Sequence, residues 1–313
     1  MSLSYAIVGA GALGGYYGGR LAQNGKEVHF LYHTEYDYVK EHGLSVKSVK
    51  GDFHLDNMNV YNDSSLMPKC DVILVTLKTT QNDILPAILP SLIKPSSVVV
   101  LVQNGLGYEQ KLGTEMPGVR IAGALAFICA SRVSQGHILH ADYGEITLGF
   151  HNFTDDELAA NIKSDFESSN VKCIFGNDLN FLRWRKLVWN IPYNGLAVAL
   201  HTTTDRLMKN PSSRQLVTDL MNEVVCGARA CGAMIKPDFV QRMLDNTDNM
   251  EPYAPSMRLD YDNHRKMEIE AIYSNPFNIA LKAGYEMKKV HMLEQQLRFI
   301  QACEIDGRIN GLV

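Results

Sequence analysis

A short apolar run at residues 5–8 leads directly into Gly9-Ala10-Gly11-Ala12-Leu13-Gly14. No other stretch restricts the fold of this chain so tightly. Glycines at these intervals allow, in order, a tight turn, a close backbone approach and a close helix–sheet contact. A helical pattern follows through Tyr17, Leu21 and Ala22 and meets a stop signal at Asn24-Gly25. Residues 27–32 then alternate like a strand. Strand, glycine turn, helix and strand fit into about 28 residues, the length of one right-handed βαβ unit. The N-terminus of its helix offers free N–H groups and a partial positive charge to a phosphate. Residues 9–14 are therefore the candidate cofactor cradle, against the alternative of a glycine-rich turn without a ligand.

The rest of the first half continues the alternation. A hairpin is expected over 44–55 around Lys50-Gly51, and buried strands over 71–77 and 98–102. A helix is expected over 82–92, complicated by Pro86 and Pro90, then a strand over 119–129 and a hairpin over 136–149. This order indicates an α/β fold, a Rossmann-type, doubly wound parallel sheet. Beyond Asp178 the pattern turns helical, over 181–200, 214–231, 237–245, about 256–283 and 287–303. The expected division is a dinucleotide-binding domain at 1–178 and an all-helical domain at 179–313. Two domains is also what 313 residues predict.

Composition removes several function classes. Thirty Lys and Arg against 34 Asp and Glu give a net charge of −4, which does not favour nucleic acid as a partner. No apolar run approaches the ~20 residues of a spanning helix, and no signal-peptide pattern precedes the first strand. Six scattered cysteines form no CxxC pair and no His/Cys ligand spacing. They read as reduced thiols of a cytoplasmic protein without a metal site.

Several polar residues then need a reason. The second strand ends in Tyr32-His33-Thr34, with Glu35 one step later. An acid at the tip would grip a ribose 2′-hydroxyl and an arginine would suit a 2′-phosphate. Neither stands there. His33, Thr34 and Lys40 either hold a 2′-phosphate or cap the next helix. Lys78 and Asn104-Gly105 follow buried strands, where ligands of open parallel sheets sit, unless both are ordinary loop residues. Lys186, Asn190 and Asn194 recur every four residues, so they share one helix face. That face is either the wet side of a surface helix or part of a site. Pro192 removes an N–H beside it and should bend the helix. Ser256, Asp260 and Glu268 form another spaced set; alone, they read first as a charged solvent face behind a helix capped at Ser256.

Together these residues resemble the ketopantoate reductase (2-dehydropantoate 2-reductase) family. The resemblance includes the glycine motif, Val75-Thr76-Leu77-Lys78 and Gln103-Asn104-Gly105-Leu106-Gly107. It continues in Arg185-Lys186-Leu187-Val188-Trp189-Asn190 and Asn194, then in Pro255-Ser256-Met257-Arg258-Leu259-Asp260 and Glu268-Ile269-Glu270. It implies a C-terminal domain like that of 6-phosphogluconate dehydrogenase and an NADPH-dependent reduction of ketopantoate to pantoate, in pantothenate and coenzyme A biosynthesis. It implies Lys186 as proton donor, with Glu268 beside lysine and cofactor. Asn190, Asn194, Ser256 and Asn104 are the implied substrate contacts. The implied cofactor contacts are residues 9–14, His33, Lys78, Asn104, Ile128 and Glu268. A keto acid is the expected small-molecule partner, one active site is expected in a cleft between the domains, and a homodimer is an open option. Three departures stand out: no basic residue follows the second strand, Tyr273-Ser274 replaces the family's Asn-Gly, and 277–303 matches poorly. The alternatives are a related hydroxy-acid dehydrogenase acting on another keto acid, or a non-catalytic NADP-binding protein.

Overall fold

The computed structural model describes residues 3–252 and 254–309, the side chains of 305–309 excepted. Strand β1 (Ser4–Val8) runs into helix α1 (Ala12–Gln23) and strand β2 (Glu27–Leu31). Helix α2 (Tyr36–His42), strands β3 (Leu44–Ser48), β4 (Phe53–Leu55), β5 (Asn59–Tyr61) and β6 (Cys70–Val75) follow. Then come helix α3 (Leu85–Leu92), strand β7 (Ile93–Val102) and helix α4 (Tyr108–Glu115). Strands β8 (Arg120–Ser134) and β9 (His137–Phe150), helix α5 (Asp156–Ser168) and strand β10 (Cys173–Phe175) complete the first half.

The sheet has the order β4-β3-β9-β8-β7-β6-β1-β2-β5. From β5 to β8 every pair is parallel, in the 3-2-1-4-5-6 order of a dinucleotide-binding fold. The chain switches direction across the sheet between β1 and β6, so their carboxyl ends flank a crevice. Both strands are buried over nearly their whole length, which is why they read as continuous apolar runs rather than alternating ones.

The sheet is not parallel throughout. β8 and β9 form one long antiparallel ladder joined at Gln135-Gly136, where Gly136 takes φ +65°. The hairpin expected within 136–149 is thus a single strand. Within that strand Tyr143 and Gly144 both take positive φ. The irregularity is absorbed by register shifts, among them one between Phe127 and Ile128, instead of reversing the chain. The helix expected over 82–92 also divides. A 3-10 turn spans Thr79–Ile84 and α3 begins at Leu85, with Pro86 in its first turn where a missing N–H is harmless. The three-residue strands β5 and β10 are too short to show a period.

The second half is helical: α6 (Leu179–Ala199), α7 (Thr204–Lys209), α8 (Pro211–Ala230), α9 (Asp238–Asp248), α10 (Ser256–Asp262), α11 (Asn275–Lys282) and α12 (Lys288–Ile309). The helix expected over 256–283 is broken. His264 takes φ +55° after α10, and a π-helical turn, Glu270–Ser274, precedes α11. An inserted residue in a π turn shifts the helical phase, so periodicity alone cannot locate it. Ser256 is the first residue of α10 and makes no side-chain cap; the cap position is Pro255.

The chain forms two compact units, 1–103 with 109–179 and 104–108 with 180–313. Each has its own core. In the first, Tyr5, Ile7, Phe30, Val72, Leu74, Val98 and Val100 pack with Tyr16, Tyr17 and Leu21 of α1. In the second, Leu187, Val188, Ile191 and Val198 of α6 pack with Val217, Met221 and Val224 of α8 and Val290, Leu293 and Leu297 of α12. Helix α6 is central to that core, and this decides the environment of its polar residues.

Candidate active site

The three motif glycines of the first unit do different work. Gly9 takes φ +94°, and a Cβ there would stand 2.6 Å from Leu77 Cδ2. A Cβ on Gly14 would stand 2.5 Å from Thr76 Oγ1 and 2.6 Å from the Gly9 carbonyl oxygen. Packing therefore excludes side chains at both. Gly11 has no atom within 4 Å of the position its Cβ would take. It is the cap residue of α1, with no side chain satisfying the first N–H groups and no acid in the first turn. Space kept clear at such a helix start suits a pyrophosphate, so these residues fit a dinucleotide. Ala10 is buried, and Ala12 and Leu13 are half-buried beside it. The Thr76 hydroxyl donates to the Gly9 carbonyl at 2.7 Å and ties the end of β6 to this turn. Half-buried Lys78 follows two residues on. The Gln103 amide exchanges hydrogen bonds with Asn82 at 2.6 and 3.0 Å and donates to the Leu77 carbonyl at 2.8 Å, fixing the β7 end beside the β6 end.

Beyond β2, His33 and Thr34 are exposed. They do not cap α2, whose cap residue is Glu35. Lys40 is turned onto Tyr36, donating to its hydroxyl at 3.0 Å with the ammonium 5.2 Å from the ring centre. The Glu35 carboxylate is buried; it accepts from the Gly136 amide at 3.2 Å and is ion-paired with Arg132. Half-buried Ile128 lies at the irregular register of the β8–β9 ladder, opposite Tyr143.

In the second unit the polar stripe of α6 is not a solvated face. Asn190 and Asn194 are 5% and 1% exposed. Buried amides must be hydrogen-bonded or reserved for a ligand. Asn194 Oδ1 accepts from the Met257 amide at 3.1 Å, which anchors the start of α10 and places half-buried Ser256 next to α6. Helix α6 continues through Pro192. Opposite that break, the Tyr273 hydroxyl donates to the Ile191 carbonyl at 2.8 Å and is hydrogen-bonded to the Gly195 backbone. The phenol thus sits between two backbone groups that would otherwise pair with each other along the helix.

Lys186 lies one turn before Asn190 and keeps part of its surface accessible, yet protein crowds its ammonium. Burial pushes its pKa down to about 7. The guanidinium of Arg183, one turn earlier, adds to the fall, and the carboxylate of Glu268 opposes it. Glu268 is 4% exposed and stands just before the π turn. The segment 104–108 packs on that same turn. Leu106 N donates to the Ala271 carbonyl at 3.0 Å, and a Cβ on Gly105 would stand 2.4 Å from that oxygen. Asn104 is thereby held near the Glu268 segment. Asp260 is buried and takes an ion pair from Arg265 at 3.0 Å, a structural role.

The second unit therefore gathers Lys186, Asn190, Asn194, Ser256, Glu268 and Asn104 around α6 and the π turn. The first gathers residues 9–14 and Lys78 around the β1–β6 crevice, with His33 and Ile128 on separate segments. Sequence reasoning missed Arg183 and Tyr273. A second cation at i−3 from Lys186 was the available signal for Arg183; nothing local points to Tyr273. Among the described residues no group of three or more His, Cys, Asp or Glu is placed to hold a metal, and no helix is long and apolar enough to cross a membrane.

Two family models match, "Ketopantoate reductase PanE/ApbA" over residues 5–152 and "Ketopantoate reductase PanE/ApbA C terminal" over 178–301. A 2-dehydropantoate 2-reductase from a Nostoc species is 45% identical over 310 residues, covering 97% of each chain. The crystal structure of a 2-dehydropantoate 2-reductase from Geobacter metallireducens superposes with a TM-score of 0.91 at 37% identity, covering 95% of this chain and 99% of that one. A D-mandelate dehydrogenase solved with NADH and anilino(oxo)acetate shares the fold at a TM-score of 0.88 and 22% identity, covering 96% and 99%.

Proposed function

The chain belongs to the ketopantoate reductase family, and on that premise we propose that it reduces 2-dehydropantoate to pantoate with NADPH, Lys186 supplying the proton. The observation that carries this reading is the buried, charge-tuned Lys186 on the same face of α6 as two buried asparagines. Bound at residues 9–14 and Lys78, NADPH would supply the hydride that adds to the keto carbon. As the C=O π electrons move onto oxygen, the Lys186 ammonium stabilises the growing negative charge and gives up its proton there, leaving a hydroxyl. A lysine near pKa 7 is half-protonated at neutrality and suited to this transfer. Glu268 keeps enough positive charge on it; Arg183 keeps it acidic. Asn190, Asn194 and Ser256 orient the carboxylate and hydroxyl groups of the substrate through uncharged side chains, and Asn104 joins them from the loop on the π turn.

Steady-state reduction tests the reading. Ketopantoate with NADPH is expected to give the highest kcat/KM in a panel of 2-keto and 3-keto acids. A tenfold preference for another acid would replace the substrate but keep the chemistry. No turnover with any acid would leave a cofactor-binding protein without catalysis.

A further inference from the structure

The end of β2 raises a charge problem. A cofactor with a 2′-phosphate needs a cation there, and the residues in sequence, Tyr32-His33-Thr34-Glu35, supply an acid and no Lys or Arg. Two structural facts change that balance. The Glu35 carboxylate is withdrawn: its side chain is 7% exposed, one oxygen accepts from the Gly136 amide and the other meets the Arg132 guanidinium. It is not presented to a ribose hydroxyl as the acid of a simple NAD site would be. The second fact is the origin of Arg132, from the far end of β8, almost 100 residues downstream. The β8–β9 ladder carries its tip back to α2. The Gly136 carbonyl accepts from Ser45 N at 2.8 Å, and a Cβ on Gly136 would meet the Tyr38 ring at 2.8 Å. The arm is thus fixed where the chain leaves β2.

We propose that Arg132 is the cation that recognises the 2′-phosphate of the cofactor, with Glu35 holding its guanidinium in place. A guanidinium has five N–H donors. Glu35 engages one edge, and 48% of the Arg132 side chain remains exposed. The free donors match a phosphate in a bidentate manner. The Tyr32 hydroxyl, near enough to Glu35 to interact with its charge, is buried and has no hydrogen-bond partner, so polar satisfaction near Glu35 is incomplete in the protein alone. Exposed His33 and Thr34 complete a polar rim. Lys40, occupied by Tyr36, is not needed. Arg132 acts on cofactor choice and not on the proton transfer.

This inference rests on the NADPH reading above, and its test separates the two. Calorimetric titration of the whole protein with adenosine 2′,5′-bisphosphate and with 5′-AMP reads the phosphate contact without turnover. The unaltered protein is expected to bind the bisphosphate more tightly. If it binds both equally and prefers NADH in kinetics, the NADPH reading fails. With that preference present, Arg132→Ala should weaken the bisphosphate at least about tenfold, the worth of a charged hydrogen-bond pair, and leave 5′-AMP unchanged. Arg132→Lys should retain part of the preference. Unchanged bisphosphate affinity in Arg132→Ala overturns the proposal. Because that variant strands the Glu35 carboxylate, the double variant Arg132→Ala/Glu35→Gln is measured beside it. It should show the same selective loss, whereas equal weakening of both ligands in it would mean a merely structural role and also overturn the proposal.

Discussion

The β1–α1 turn works by leaving side chains out, and the cluster around Lys186 by bringing side chains in. At residues 9–14 the decisive property is empty space: two glycines are required by packing and one leaves room at the start of a helix. Everything needed lies within a few residues. Around Lys186 the decisive property is the burial of a charge, adjusted downward by Arg183 on the same helix and upward by Glu268 some 80 residues later. The first region offers backbone groups to a ligand; the second tunes a titratable group. Damage to the first should therefore appear in cofactor affinity, and damage to the second in turnover and its pH dependence.

Lys186→Ala is the largest expected break. It removes the proposed proton donor and should lower kcat about 10²–10⁴-fold, the usual worth of a general acid. Cofactor affinity, followed by quenching of protein fluorescence, should stay nearly constant. A large loss of affinity would mean that the two regions are not separable in this way.

Within the glycine turn, Gly11→Val and Gly14→Val should part company. A side chain at 11 meets open space in the protein, so the melting temperature should hold while the cofactor Kd rises at least about tenfold, on losing close backbone approach to the pyrophosphate. A side chain at 14 strikes Thr76 and the Gly9 carbonyl and should cost about 1–3 kcal/mol of stability. Equal destabilisation by both would contradict the distinction.

Tyr273→Phe probes the support beneath the second region. Deleting the hydroxyl removes the bridge between the Ile191 carbonyl and the Gly195 backbone, and, as the two can re-pair along the helix, should cost only about 1 kcal/mol by chemical denaturation. Asn190 and Asn194 straddle that point on α6, so KM for the keto acid should rise more than kcat falls. An unchanged KM would make Tyr273 a packing residue only.

The smallest effect is a displaced pH profile. Lys186 carries its proton below about pH 7 and loses it above, so the reductive rate should decline as pH rises through that value. Glu268 raises the pKa, so Glu268→Gln should move the decline to lower pH. Arg183 lowers it, so Arg183→Gln should move the decline upward. Shifts in the same direction for both would refute the assignment of these charges to Lys186.

Legibility in the sequence follows the same division. The βαβ start shows in its glycine spacing, the buried strands β6 and β7 as short apolar runs, and the helical second half and the polar stripe of α6 as a local period. That the stripe is buried rather than wet depends on segments far along the chain, such as the start of α10 at Asn194. The length of the β8–β9 arm was hidden because residues 131–135 are all exposed and, Val133 aside, polar, so no apolar alternation marks that part of the strand. The π turn was hidden because it breaks the helical period. That Glu35, one step past the strand tip, is buried and held by Arg132 and Gly136 was equally out of reach, because both partners lie about 100 residues away.

The amino-acid sequence by itself determined the glycine-turn start of the parallel sheet, the helical second half and the polar residues from which the proposed site is drawn. These follow from short-range sterics and from periodic burial, which neighbouring residues decide among themselves. Tertiary structure alone decided that Lys186 titrates near 7, that Asn190 and Asn194 are buried, that Tyr273 enters the α6 ladder and that Arg132 stands at the end of β2. Those properties depend on desolvation and charge from residues far apart in the chain, and their distances exist only once the chain has folded.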